Sequence, residues 1–179
     1  MSDEFLTSLR AAIRTVPDFP IEGIMFRDIT PVLSEPGLLR EVTNRFVDDL
    51  AKLGWNPDII VGPEARGFIF GPLLAERLGI AFVPVRKPGK LPAATSRVEY
   101  TLEYGSNTLE MHQDAISTGQ RVVIIDDLLA TGGTISACAK LCRDAGAEVL
   151  GSLFPVSYTH LRAHETDSYL VCRLRLEKK

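Results

Sequence analysis

The sequence predicts an α/β domain built on a parallel sheet with helices covering both faces. Three observations lead there. Short apolar runs, DIIVG (58–62), IAFVPV (80–85) and RVVIID (121–126), alternate with segments of helical periodicity. Strands alternating with helices make βαβ units, whose sheets are parallel and buried on both sides. The length of 179 residues and an apolar fraction of 45% suit one domain with its own core.

The elements follow in order. Phe5, Leu6, Leu9, Ala12, Ile13 and Val16 keep helical spacing, so residues 3–15 are expected to form an amphipathic helix. Pro17, Pro20 and Gly23 end it and open an irregular stretch. A second helix starts near Pro36, buries Leu39, Val42, Phe46, Leu50 and Leu53 on one face, and stops at Gly54. The strand at 58–62, a helix over 67–79 and the strand at 80–85 come next. VEYTLEYG and NTLEMH flank Gly105-Ser106 as an antiparallel hairpin. RVVIID is the clearest buried strand, Thr134 to Ala145 is helical with Gly146 after it, and AEVLGSLF (147–154) is a last strand. Ligands of such sheets bind beyond the carboxyl ends of the strands, which directs attention to the loops after Val61, Val85 and Asp126.

A formal net charge of -3 and a pI near 5.6 speak against a nucleic-acid or anionic-membrane binder. No apolar run approaches the roughly 20 residues of a membrane span, and the acidic MSDEFLTSLR is unlike a signal peptide, so a cytoplasmic protein is expected. Cys138, Cys142 and Cys172 contain no CxxC pair, which fits packing residues in a reducing compartment and no zinc site.

The stretch VVIIDDLLATGGT (122–134) carries the most chemistry. Asp126 and Asp127 close a buried strand, where a pair of charges is costly unless a metal, a cation or hydroxyl donors compensate it. The ATGGT that follows has small side chains and leads into a helix, so its N–H groups suit a phosphate. Thr131 and Thr134 add hydroxyl donors. Acids beside a phosphate cradle point to a phosphorylated sugar, with the acids on the ribose diol. GxxxxGK[ST] and GxGxxG are both absent. The plainer alternative is a capping cluster followed by a turn.

This string resembles the phosphoribosyl-diphosphate signature of type I phosphoribosyltransferases. From about Pro17 to Phe154 the chain further resembles the adenine phosphoribosyltransferase family, through PDFPIEGIMFRDITPVL, EARGFIFG, PVRKPGKLP, LEYG and DDLLATGGT in that order. The resemblance implies a type I phosphoribosyltransferase-like sheet flanked by helices, with a small N-terminal hood over residues 1–34 and a flexible β-hairpin loop. It implies transfer of the 5-phosphoribosyl group from phosphoribosyl diphosphate to adenine in purine salvage, giving AMP and diphosphate. It also implies Mg²⁺ bridging diphosphate and ribose oxygens, with Asp126 and Asp127 holding it directly or through water, and a homodimer.

Residue roles follow the motifs. Asp126, Asp127, Ala130, Thr131, Gly132, Gly133 and Thr134 form the sugar-phosphate site. In EARGF, free N–H groups and a guanidinium suit diphosphate; the resemblance gives Glu64, Ala65 and Arg66 this role, with a strained or cis peptide around Glu64-Ala65. A surface ion pair between Glu64 and Arg66 is the alternative. Arg86, Lys87 and Lys90 form a basic loop with few apolar anchors, able to contact diphosphate and close over substrate. The resemblance makes Glu103 a catalytic glutamate near the purine imidazole, where it would accept or orient a proton, beside Tyr104 and with Arg66 and Lys87 assisting; an exposed strand glutamate is the alternative. Met25, Phe26 and Arg27 are base-recognition candidates: Phe26 stacks, and main-chain groups read the edge. Taken alone, Phe26 reads more readily as a core residue than as a stacking one.

After Phe154 the pattern is lost. Residues 155–179 match none of the strand and helix the family resemblance implies, and they resemble translated adaptor or vector sequence, so the domain is expected to cover 1–154. His160 and His164 lack a third metal ligand. Two other functions stay open. One is transfer to hypoxanthine or guanine. The other is a phosphoribosyl-diphosphate-binding regulator without turnover, for which the chain has no spare DNA-binding length.

Overall fold

The computed structural model describes residues 3–101, 106–129 and 132–157. The expectations for Glu103, Tyr104, Ala130, Thr131, Cys172, His160, His164 and the rest of 158–179 lie outside the described residues. In chain order the elements are α1 (Asp3–Ala12), β1 (Arg14–Val16), β2 (Phe26–Asp28), α2 (Thr30–Leu33), α3 (Pro36–Leu53), β3 (Ile59–Pro63), α4 (Gly67–Leu78), β4 (Ala81–Val85), β5 (Thr95–Thr101), β6 (Ser106–His112), β7 (Arg121–Ile125), β8 (Leu128–Leu129), α5 (Gly133–Asp144), β9 (Glu148–Leu153) and β10 (Val156–Ser157). The chain divides into two compact units, residues 1–45 and 46–179.

In the second unit a four-stranded sheet runs β4-β3-β7-β9, parallel throughout. The β3–α4–β4 and β7–α5–β9 crossovers are the βαβ units that the alternation predicts. Because side chains alternate along a strand, Ile59, Val61, Val122 and Ile124 join Ala137, Cys138 and Leu141 of α5 in one buried cluster. Ile60, Val123 and Ile125, equally buried, take the other face. The hairpin β5–β6 adds Val98, Leu109 and Met111 to the α5 cluster. Cys138 and Cys142 are buried and free in α5, and burial pushes both thiols up.

At the sheet's opposite edge from the loops of interest, Arg121 clamps Asp58: Nη2 to Oδ1 at 2.8 Å, Nε to Oδ2 at 3.1 Å. Hydrogen bonds from the Arg121 side chain and main chain hold the Asp58 carboxyl down at about 2.

The first unit differs from expectation in detail. α1 stops at Ala12 rather than residue 15, because residues 14–16 pair as β1 with β2 in an antiparallel ladder, Val16 opposite Phe26 and Arg14 opposite Asp28. The stretch read as irregular therefore holds a strand and the short helix α2, whose first amide is accepted by Asp28 Oδ1 at 2.8 Å. Three- and four-residue elements are too short to show a period. β8 and β10, two residues each and paired in parallel, were unforeseen for the same reason.

Candidate active site

Adjacency of β4, β3 and β7 brings three loops to one sheet edge: 86–90 after β4, 64–66 after β3, and the segment after Ile125. Two glycines set how closely they approach. A Cβ on Gly67 would meet the Ile125 carbonyl oxygen at 2.8 Å, and one on Gly62 would meet the Gly67 carbonyl oxygen at 2.8 Å. Only glycine lets the start of α4 lie this close to the ends of β3 and β7.

That approach puts Arg66 beside the acids. Its Nε lies 2.8 Å from Asp127 Oδ2, and the Asp127 side chain is only 2% exposed. The other oxygen, Oδ1, is buried and has no hydrogen-bond partner. Asp126 turns back to accept the Asp127 amide at 2.9 Å through Oδ1. Burial and then the Asp127 charge push the Asp126 carboxyl up to about 7; burial raises Asp127 too, against the pull of Arg66. A part-buried acid and a buried one thus lie beside one guanidinium, which contacts Asp127, and acceptor capacity is left unfilled.

Across from them, α5 begins at Gly133 without a side-chain cap, after Gly132 in the left-handed region at φ 80. Its first amides are oriented for an anion. Thr134 Oγ1 lies 3.3 Å from the Tyr100 hydroxyl of β5, which ties the hairpin to the cradle. Of the ATGGT set, Gly132, Gly133 and Thr134 are thus assembled at the helix start.

The Glu64–Ala65 peptide is cis. The alternative ion pair between Glu64 and Arg66 is not formed. Glu64 Oε2 instead accepts from Arg86 Nε at 2.8 Å and from the Lys87 amide at 3.4 Å, because Arg66 is drawn to the more deeply buried acid. Arg86 also donates through Nη1 to the Lys90 carbonyl at 3.0 Å. The 86–90 loop, poor in apolar anchors, is thus held by polar ones. No described acid pairs with the ammonium groups of Lys87 and Lys90, both exposed. Glu110 and Tyr100 were missed by sequence reasoning; within a strand-like hairpin pattern both read as ordinary strand residues.

In the first unit, Met25 is exposed, Phe26 is half-buried with its ring edge-on to Phe19 at 5.1 Å, and the Arg27 guanidinium donates to the Thr15 hydroxyl. Phe26 is not a core residue here. Among the described residues no group of three or more His, Cys, Asp or Glu side chains could hold a metal by itself.

A family model described as "Phosphoribosyl transferase domain" matches residues 30–176. An adenine phosphoribosyltransferase of Acidobacterium capsulatum is 55% identical over 159 residues, 88% of this chain and 86% of that protein. The crystal structure of adenine phosphoribosyltransferase from Thermoanaerobacter pseudethanolicus superposes with a TM-score of 0.84 at 52% identity, covering 87% of this chain and 90% of that one. The Saccharomyces cerevisiae enzyme, complexed with an imino-altritol bisphosphate and adenine, gives 0.85 at 40% identity over 89% and 92%. Sequence motifs, sheet topology and relatives agree, and the chain belongs to the adenine phosphoribosyltransferase family.

Proposed function

We propose that this chain transfers the 5-phosphoribosyl group of phosphoribosyl diphosphate to adenine, releasing AMP and diphosphate. The observation that carries the site assignment is the acid pair Asp126–Asp127, with one buried, unpartnered oxygen on Asp127 and Arg66 on the other, followed in the chain by a helix start without a side-chain cap. Ribose hydroxyls are the donors this pair lacks. The 5-phosphate fits the amides of Gly132 to Thr134 and the Thr134 hydroxyl. Arg66, Lys87 and Lys90 neutralise the departing diphosphate, with Ala65, Glu64 and Arg86 fixing the loops that present them. Displacement at the anomeric carbon develops oxocarbenium character, so orientation and charge carry the rate and no covalent nucleophile is needed.

Asp126 and Asp127 suit Mg²⁺: hard carboxylate oxygens, one unsatisfied, and too few protein ligands for a closed site, as expected of an ion that draws the rest from substrate and water. When bound, the ion supplies charge neutralisation on the diphosphate. Glu103 accepts or orients the purine proton, and Met25, Phe26 and Arg27 read the base; the adenine in the yeast complex and the family motifs support these roles. A homodimer in the cytoplasm is what the motif resemblance implies. Separately, no described helix is long and apolar enough to cross a membrane.

The test mixes protein, Mg²⁺ and phosphoribosyl diphosphate with adenine or hypoxanthine. AMP with little IMP is expected. IMP as the main product would move the assignment to another purine, and no turnover from cooperatively melting protein would leave a binder.

A further inference from the structure

Glu110 takes no part in the chemistry above, yet it is a buried acid beside the diphosphate loop. It lies on β6 and is 3% exposed. Its Oε2 accepts the Gly89 amide at 3.1 Å, and its Oε1 lies 3.1 Å from Arg97 Nη2. Its main chain exchanges two hydrogen bonds with Arg86, at 2.7 and 2.8 Å. A carboxylate is rarely buried so fully unless its oxygens are partnered, and here each one is. The acceptor is aimed at Gly89, which sits at φ 73 between Lys87 and Lys90. Arg86 closes the same turn on the Lys90 carbonyl and ties it to Glu64. The turn carrying both lysines is therefore pinned from the hairpin side by Glu110 and from the β3 side by Glu64.

We propose that Glu110 is a positioning residue for the leaving group: it keeps the 87–90 turn formed, so that Lys87 and Lys90 bind diphosphate without first paying to order the loop. The proposal rests on the reading of these lysines as diphosphate ligands. Preorganisation of this kind acts on substrate affinity, because a contact made before binding need not be ordered during it. It leaves the reacting atoms untouched.

A double-mutant cycle tests this, with Lys87→Ala, Glu110→Ala and the pair, read as KM for phosphoribosyl diphosphate, KM for adenine, and kcat. Glu110→Ala should raise KM for phosphoribosyl diphosphate about tenfold, the scale of one lost charge-assisted contact, with kcat and KM for adenine within about twofold. Glu110→Gln keeps one acceptor for the Gly89 amide and should recover part of the loss. In the Lys87→Ala background the effect of Glu110→Ala should shrink by more than half. An undiminished effect there, or an unmoved KM in the wild-type background, overturns the positioning role. If Lys87→Ala alone leaves that KM unchanged, the lysine reading itself fails and takes the proposal with it. Should Glu110→Ala not melt cooperatively, the cycle is run with Glu110→Gln: recovery or loss of coupling to Lys87 decides the matter in the same way.

Discussion

The paired strands β3 and β7 have aspartates beyond both ends, Asp58 before β3 and Asp126 and Asp127 after β7, and the two ends are treated differently. At the start of the strands, one acid, Asp58, meets one guanidinium, Arg121, in a two-point clamp open to solvent. At the carboxyl end of β7, two acids, Asp126 and Asp127, stand beside Arg66, which pairs with Asp127, and one Asp127 oxygen is buried with no partner. The first arrangement is balanced and holds two strands in register. The second is unbalanced, and a domain keeps a buried surplus of acid only where something else completes it. Charge balance, more than charge itself, separates the structural end of this sheet from the chemical one.

The largest expected effect comes from removing the surplus. Asp126→Asn should cut kcat/KM about 100-fold or more, since a misplaced ribose loses the in-line geometry. The same change should raise the melting temperature near neutral pH, because it deletes one of two neighbouring, mutually repelling charges, both largely withdrawn from water. Activity and stability measured on the same preparation decide it: loss of both together would make Asp126 a structural residue like Asp58.

A smaller effect is expected at the glycine that joins the two acids to their cation. In Gly67→Ala the new methyl group meets the Ile125 carbonyl at 2.8 Å, a backbone atom that cannot swing aside. Overpacking of this kind costs about 1–3 kcal/mol. The displacement also moves Arg66 from Asp127, so kcat/KM should fall along with the melting temperature. Retained activity in a destabilised protein would show that the Arg66–Asp127 contact is dispensable.

How legible was this from sequence? The acid pair, the glycine turn and the strand before them form one contiguous string, and the long helices α3, α4 and α5 keep their period. These were readable because the cause is local. The partner of each charge was not. Arg66 reads as a diphosphate ligand, with an ion pair to Glu64, two residues away, as the alternative; no local signal points to Asp127, which the fold brings to it from 61 positions down the chain. Glu110 shows the same limit more sharply. Between Leu109 and Met111, both buried, it reads as the solvent-facing residue of a strand, and only the approach of the 86–90 turn makes it a buried acceptor. β2, α2, β8 and β10 lacked the length to declare themselves.

The smallest effect sharpens the comparison through pH. Asp58 titrates near 2 in the folded chain, below the roughly 3.9 of an unfolded aspartate. Its stabilisation is therefore present above about pH 4 and lost as the pH falls toward 2. Asp126 runs the other way. Its folded value, about 7, lies above the unfolded one, so the folded chain holds the extra proton. Stability from that proton is full below about pH 4 and declines as pH rises through 7. Melting curves of the substrate-free protein should thus fall off at both sides. Asp126→Asn should flatten the slope between about pH 5 and 8 while leaving the acid limb, and Asp58→Asn should flatten only the acid limb and leave kcat/KM nearly unchanged. The Asp58 clamp is solvent-exposed, so its effect should also shrink in high salt, whereas the slope set by the buried pair should persist. If both slopes respond alike to salt, the buried pair is more hydrated than its geometry implies, and the contrast between the two ends of the sheet is one of position only.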